Sequence, residues 1–197
     1  IIYLKQTDET IINNLISSRI EEERSKILAE FSKKEEVVED IKVDLDEIIS
    51  KIIPKGNYKN ADSFILKFIQ NLAPEIEMSQ GVFFIKNEDG SFEYLNGYAL
   101  TKDNISGFNA GENLNGQVAV SKEIMVIHDI PEEYLNIESG LGKGKPAHLI
   151  IVPFISDENV IAILEIATFK SNTDHIVEIL NKLMVQVSDK LVQMLKS

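Results

Sequence analysis

The chain has 197 residues, room for one domain of ordinary size with an extension, and its 44% of hydrophobic residues is enough for a packed core and argues against wholesale disorder. A net charge of -12 argues against a nucleic-acid surface, which needs clustered Lys and Arg, and against adhesion to an anionic membrane. With no cysteine there is no disulfide, no thiolate metal site and no Cys nucleophile.

The first predicted element runs from about Thr7 to Ile53, without Gly or Pro and dense in Glu, Lys, Ile and Val. Its apolar positions are Ile20, Ile27, Phe31, Val38, Ile41, Leu45, Ile48 and Ile52; with Arg24 and Lys34 filling the gaps, the steps alternate four and three. That is a heptad seam with two charged interruptions. A solitary helix of this length has no core to rest on, so a partner helix is expected, most simply in a parallel homodimer. The alternative is a long helix lying on its own domain. "PKGNYKNADS" (54–63) breaks the helix, and Asp62 or Ser63 is placed to cap the next one. That short helix carries Phe64, Ile65, Phe68, Ile69 and Leu72 and ends near Pro74.

The period then changes to two. "GVFFIK" (81–86) predicts a strand, Asp89-Gly90 a hairpin turn, and "FEYLNGYAL" (92–100) the partner strand with a bulge at Asn96-Gly97. Further strands are predicted at 123–128, 147–154 and 159–169, with Asp157-Glu158-Asn159 at the tip of a tight connection. A final helix is expected from about Thr173 to Leu195, with Ile176, Leu180, Leu183, Val187, Leu191 and Met194 at helical spacing. Five strands with helices before and after predict an α+β fold built on a mainly antiparallel sheet.

"SGLGKGKPAHLIIVPF" (139–154) invites comparison with a phosphate loop. A P-loop needs GxxxxGK followed by Ser or Thr, between a strand and a helix. Here Ser139 stands where the first Gly belongs, and Lys145 is followed by Pro146. Gly142-Lys143-Gly144-x-x-Ala147 spells a dinucleotide fingerprint, but it leads into a strand, so no helix N-terminus faces the phosphate. The stretch is expected to be a partly basic loop over one end of the sheet.

Ser, His and Asp stand in no catalytic order. Glu165, inside the apolar strand "IAILEIATF", is either a base with a raised pKa or a carboxylate at an edge or paired with a neighbour. The three histidines (His128, His148 and His175) are far apart in sequence, which argues against a His-rich metal site. The region from Gly107 to Leu141 is long and irregular; its Phe108, Leu114, Val118, Ile130, Tyr134 and Leu141 either enclose a small cavity or complete the core. No apolar run approaches the roughly 20 residues that span a bilayer, and no signal peptide opens the chain. Its start at Ile1 rather than Met suggests a cytoplasmic piece of a longer protein.

Residues 107–169 resemble the central part of a GAF domain, of the type found in bacterial sensor histidine kinases and related signalling proteins. The residues that carry the resemblance are Gly111, Glu112, Leu114, Gly116, Val118 and Ala119, then Asp129-Ile130-Pro131, Ser139-Gly140-Leu141-Gly142, Leu149, Val152 and Pro153, and the closing V-x-x-x-L-E-I strand. "GVFFIK…FEYLNGYAL" fits the first two strands, and the likeness extends over about 60–197. It implies an antiparallel sheet of five or six strands, helices from both termini on one face, and a ligand pocket on the other face under the long loop. The long first helix resembles the coiled-coil linkers that join such domains to their neighbours.

Some family features are missing. Asn113 replaces the third member of the usual G-E-G, and the N-K-x-x-F-x-x-x-D-E motif of cyclic-nucleotide binders is absent. Lack of cysteine removes bilin attachment and the cysteines of methionine-sulfoxide-reducing members. For haem, His148 alone lies near the implied pocket. The resemblance thus implies a linker helix over 1–58 and a sensory domain over 59–197, with no catalytic residue, metal or known cofactor and with an unidentified small ligand. Candidate ligand contacts are Phe108, Leu114, Tyr134, Leu141, Lys143, His148, Ile150 and Glu165. The expected partners are a second copy through the terminal helices and a downstream output domain, with no nucleic acid and no direct membrane contact. The alternative is a small enzyme or cofactor binder using His148 and Glu165.

Overall fold

The structure is a computed structural model that describes residues 19–26, 45–100, 105–128, 130, 137–139 and 142–196. The chain divides into two units, Ile1–Asp44 and Leu45–Ser197. In the first, residues 19–26 are helical. There Lys26 reaches Glu22 at 3.6 Å and Glu23 at 3.4 Å, both exposed pairs of the kind that contribute little. Ile20 is 57% exposed, and the seam positions Ile27, Phe31, Val38 and Ile41 lie outside the described residues.

The second unit starts with α1 (Leu45–Ile52), so its compact core begins before the boundary near residue 58 expected from sequence. Ile48, Ile49 and Ile52 are buried among the chain's own apolar side chains, and Leu45 packs on them. For this turn of the seam, the helix lies on its own domain. Asn71 donates to the carbonyl of Ile52 at 3.1 Å and ties the end of α1 to α2 (Ala61–Glu75). The cap of α2 is Asn60, whose side chain accepts from the Ser63 N–H at 2.9 Å; Asp62 and Ser63, expected as caps, are the second and third residues of the helix. An Asx side chain satisfies one of the orphan N–H groups there.

The sheet is built from β1 (Met78–Lys86), β2 (Phe92–Tyr98), β3 (Met125–Ile127), β6 (His148–Ser156) and β7 (Asn159–Thr168). Its order is β2-β1-β7-β6-β3, and each neighbouring pair is antiparallel. β1 and β2 meet at the expected Asp89-Gly90 turn, where Gly90 has φ 91° and the Asp89 carboxylate accepts from the Ser91 N–H and hydroxyl. The bulge of β2 falls at Leu95, one residue before the expected place: Phe83 pairs Asn96 while Phe84 pairs Tyr94. A separate ribbon pairs β4 (Ile137–Ser139) with β5 (Gly142–Gly144). Within the Gly-rich stretch Gly142–Gly144 is therefore strand, and β6 follows it rather than a helix that could hold a phosphate.

Alternation divides the sheet into two faces. Phe83 of β1, Ile150, Val152 and Phe154 of β6, and Ala162, Leu164 and Ile166 of β7 pack with α1, α2 and α4 (Asp174–Leu195). Phe84, Leu149, Ile151, Ile163 and Ala167 face the other way, onto Phe92, Phe108, Val118 and Ile130. Helices from both ends of the domain thus cover one face, as the resemblance implies. The second face is closed by the segment after β2 and by α3 (Asn113–Ser121). Within the region 107–141 expected to be irregular, residues 113–121 thus form a helix.

Candidate functional site

Among the described residues, the face opposite the terminal helices carries a polar pair, half-buried Glu165 and buried Asn115. Glu165 sits in β7 between Ile163 and Ala167, and its carboxylate accepts from the side-chain amide of Asn115 in the first turn of α3. Burial raises the pKa of Glu165 above the ordinary value of 4.5, and the Asn115 hydrogen bond offsets this only in part. Asn115 is itself 5% exposed, and its Oδ1 is buried without a hydrogen-bond partner. A buried acceptor left unmade carries a desolvation cost of about 1–3 kcal/mol, so it marks a place that a donor would fill.

Beside the pair is a cavity of about 20 Å³ lined by Gln80, Gly81, Val82, Leu100, Leu149, Glu165 and Ala167. That volume accommodates water-sized groups. The walls come from β1, β6 and β7 and from Leu100 in the segment after β2, with Gln80 held in place by its donation to the Ala99 carbonyl at 3.0 Å.

The segment that delivers Asn115 is built by the Gly111-Glu112-x-Leu114-x-Gly116 motif. Gly111 takes φ 86°, a left-handed conformation suited to glycine. The Glu112 carboxylate accepts from the backbone N–H of Asn109 at 2.8 Å and from its side chain at 3.3 Å, which lowers its pKa. Gly111 N–H donates to the Gly116 carbonyl at 2.8 Å. A Cβ on Gly116 would stand 2.5 Å from the Asn109 carbonyl oxygen, so the backbone closes on itself only with glycine there. Asn113, the departure from the family pattern, has φ 49° and its side chain accepts from the Gly116 N–H at 3.1 Å. An Asn tolerates both jobs.

The expected ligand contacts separate. Glu165 lines the cavity, while Phe108 is buried in the same face, stacked on Phe92 with ring centroids 5.0 Å apart, and Leu114 packs at its margin. Ile150 is a correction: it belongs to the core under the terminal helices, because it sits one residue from Leu149 in β6 and strand side chains alternate. His148 is a second correction, since the same alternation turns it away from the cavity. Its Nδ1 lies 3.1 Å from Nδ1 of His128 and its Nε2 lies 3.1 Å from the Ser171 carbonyl. Tyr134 and Leu141 lie outside the described residues, as does the side chain of Lys143, whose backbone runs in β5. Asn115 was not foreseen; an Asn beside a Gly reads in sequence as a turn former.

The family model described as a GAF domain matches residues 64–191, more than half of the chain. The chain belongs to the GAF family. Solved GAF structures with a similar fold include the GAF domain of an Acinetobacter phosphoenolpyruvate-protein phosphotransferase, with a TM-score of 0.59 and 14% identity over 76% of this chain and 90% of that one. A GAF domain from A. aeolicus nlh2 in an inactive state gives 0.58 and 17%, over 75% and 93%. The free methionine-R-sulfoxide reductase of Neisseria meningitidis in complex with its substrate gives 0.60 and 13%, over 77% and 88%. None of the curated proteins matches the chain. At these identities the solved structures establish the GAF fold, which serves generally in sensory and regulatory modules. Among the described residues no helix is long and apolar enough to cross a membrane.

Proposed function

We propose that this GAF domain is a non-catalytic sensory and dimerisation module of a cytoplasmic signalling protein, probing a small polar ligand at Glu165 and Asn115. The observation that carries the reading is the position of Glu165 in β7. Its neighbours Leu164 and Ile166 are buried under the terminal helices, while its own side chain faces the cavity. A ligand that repositions β7 therefore acts on the packing of α1, α2 and α4 through a single strand, the kind of shared element that coupling requires. The Glu165 carboxyl in the cavity wall, held by Asn115, favours a ligand bearing a hydroxyl, amine or amide N–H. A two-component sensor with an output domain beyond the last helix fits this arrangement. In that setting a second copy joins through the first helix.

The test is a screen of the smallest amines, amides and alcohols, ammonium and methylamine among them, by native mass spectrometry and thermal shift. A ligand whose stabilisation disappears in both Asn115→Ala and Glu165→Gln supports the reading. Ligands that bind equally well to both variants, or turnover of any of them by the wild type, overturn it. Light scattering during size-exclusion chromatography tests the dimer: a monomer at high micromolar concentration, with the first helix intact, ends that part.

The alternative, an enzyme or cofactor binder using His148 and Glu165 together, loses support from their placement. The two side chains stand on opposite faces of the sheet, and His148 is engaged with His128 and Ser171.

A further inference from the structure

We infer that His128 and His148 form a binding site for a divalent transition-metal cation of the zinc, nickel or copper class, separate from the Glu165 cavity. The histidines are 20 residues apart in sequence, yet the pairing of β3 with β6 brings them together. Ile127 pairs Leu149, so the residue after β3 and the first residue of β6 leave the ladder side by side. Their Nδ1 atoms are 3.1 Å apart and the rings meet edge to face at 4.8 Å.

The hydrogen bonds decide which nitrogen of His148 is free. A carbonyl oxygen only accepts, so the contact of Nε2 with the Ser171 carbonyl makes Nε2 the protonated nitrogen. The lone pair of neutral His148 is then on Nδ1, the nitrogen that lies 3.1 Å from Nδ1 of His128. An imidazole whose far N–H is held by a backbone carbonyl is the usual arrangement of a metal-ligating histidine. With metal–nitrogen bonds of about 2.0–2.1 Å, two nitrogens 3.1 Å apart subtend roughly 100° at the cation, between square-planar and tetrahedral values. In its absence a single proton between the two Nδ1 atoms serves the same contact.

Among the described residues no third His, Cys, Asp or Glu joins the pair at metal-binding spacing, so water completes the coordination. His128 is exposed, which leaves room for that water. Two imidazoles suit borderline cations and offer nothing to magnesium or calcium, which take oxygen ligands. The net charge of -12 raises the local concentration of any cation. A bound ion would clip the end of β3 to the start of β6. Through Ser171 it would also brace the connection from β7 into α4, the last helix of the domain.

The test uses the full chain, chelator-treated and with any affinity tag removed, titrated calorimetrically with nickel and zinc chlorides. One cation per chain is expected, with a rise in melting temperature that magnesium chloride does not reproduce. His128→Gln and His148→Gln should each weaken binding about tenfold or more, since loss of a direct ligand costs at least as much as loss of its supporting bond. His175→Gln should leave it unchanged. Imidazole nitrogen NMR of the wild type settles the assignment even where a variant folds poorly: zinc should shift Nδ1 of His128 and His148 together and leave His175 in place. Absence of binding up to about millimolar cation, retention in the double variant, or a shift confined to His175 overturns the inference.

Discussion

Glu165 is the residue whose environment makes the sharpest demand. Burial lifts its pKa above 4.5 in the folded chain, while the unfolded chain keeps the ordinary value. The folded state therefore holds a proton that the unfolded state releases. Stability from this group is complete below the unfolded pKa and is lost as pH rises through the folded one. Glu165→Gln removes that loss. The melting-temperature difference between variant and wild type should grow as pH rises above 4.5 and level off once Glu165 is ionised in the folded chain. A difference independent of pH would show that the carboxyl is not desolvated. Asn115→Ala removes the donor that favours the ionised form, so its cost of about 1–3 kcal/mol should be greater where Glu165 is ionised than where it is protonated, read from denaturant midpoints across pH. A charged residue in an apolar strand was visible in the sequence as a point of interest. Its partner was not, because Asn115 lies 50 residues away and nothing local ties it to β7. The His128–His148 contact escaped for the same reason: distance along the chain says nothing about register across strands.

At the scale of elements, two-residue and heptad-like periods located β1, β2, β6, β7, α2 and α4 within a few residues. α3 was missed because "NLNGQVAVS" has no apolar stripe and carries Asn and Gly where helices usually end. It is held by tertiary packing of Val118 and Asn115 and by the backbone turn around Gly116. Gly116→Ala would press a Cβ against the Asn109 carbonyl oxygen at 2.5 Å and the Gly111 nitrogen at 3.0 Å, both backbone atoms that cannot swing aside. A loss of about 1–3 kcal/mol is expected, together with weaker ligand stabilisation at the Asn115 site, since α3 carries that residue. The β6–β7 turn offers the opposite test. Asp157 and Glu158 have φ 47° and 63°, the left-handed pair of a type I′ hairpin, where Asn-Gly is preferred. Replacing both, Asp157→Asn with Glu158→Gly, should raise the melting temperature. A fall would mean that these side chains hold contacts beyond the turn.

For the whole molecule the question is where the folding unit begins. The apolar period runs unbroken through residues 45–52, so the sequence shows that this stretch buries a face but not against what. The structure answers for the last turns: Ile48, Ile49 and Ile52 close the core against α2 and α4, and Asn71 anchors the Ile52 carbonyl. Three such side chains contribute about 1.5–3 kcal/mol each, a large share of the 5–15 kcal/mol that ordinarily separates folded from unfolded chains. A chain starting at Leu45 should therefore melt cooperatively near the temperature of the full protein. One starting at residue 59, the boundary drawn from sequence, should lose most of its stability and expose apolar surface from α2 and α4. Ile52→Ala in the full chain gives a graded version, with an expected cost of about 2–5 kcal/mol in denaturant unfolding. If the chain from residue 59 unfolds as sharply and at the same midpoint as the chain from Leu45, α1 is not part of the core. The seam positions Leu45, Ile48 and Ile52 would then be free for a second copy, and that shorter chain should also lose any dimer the longer one forms.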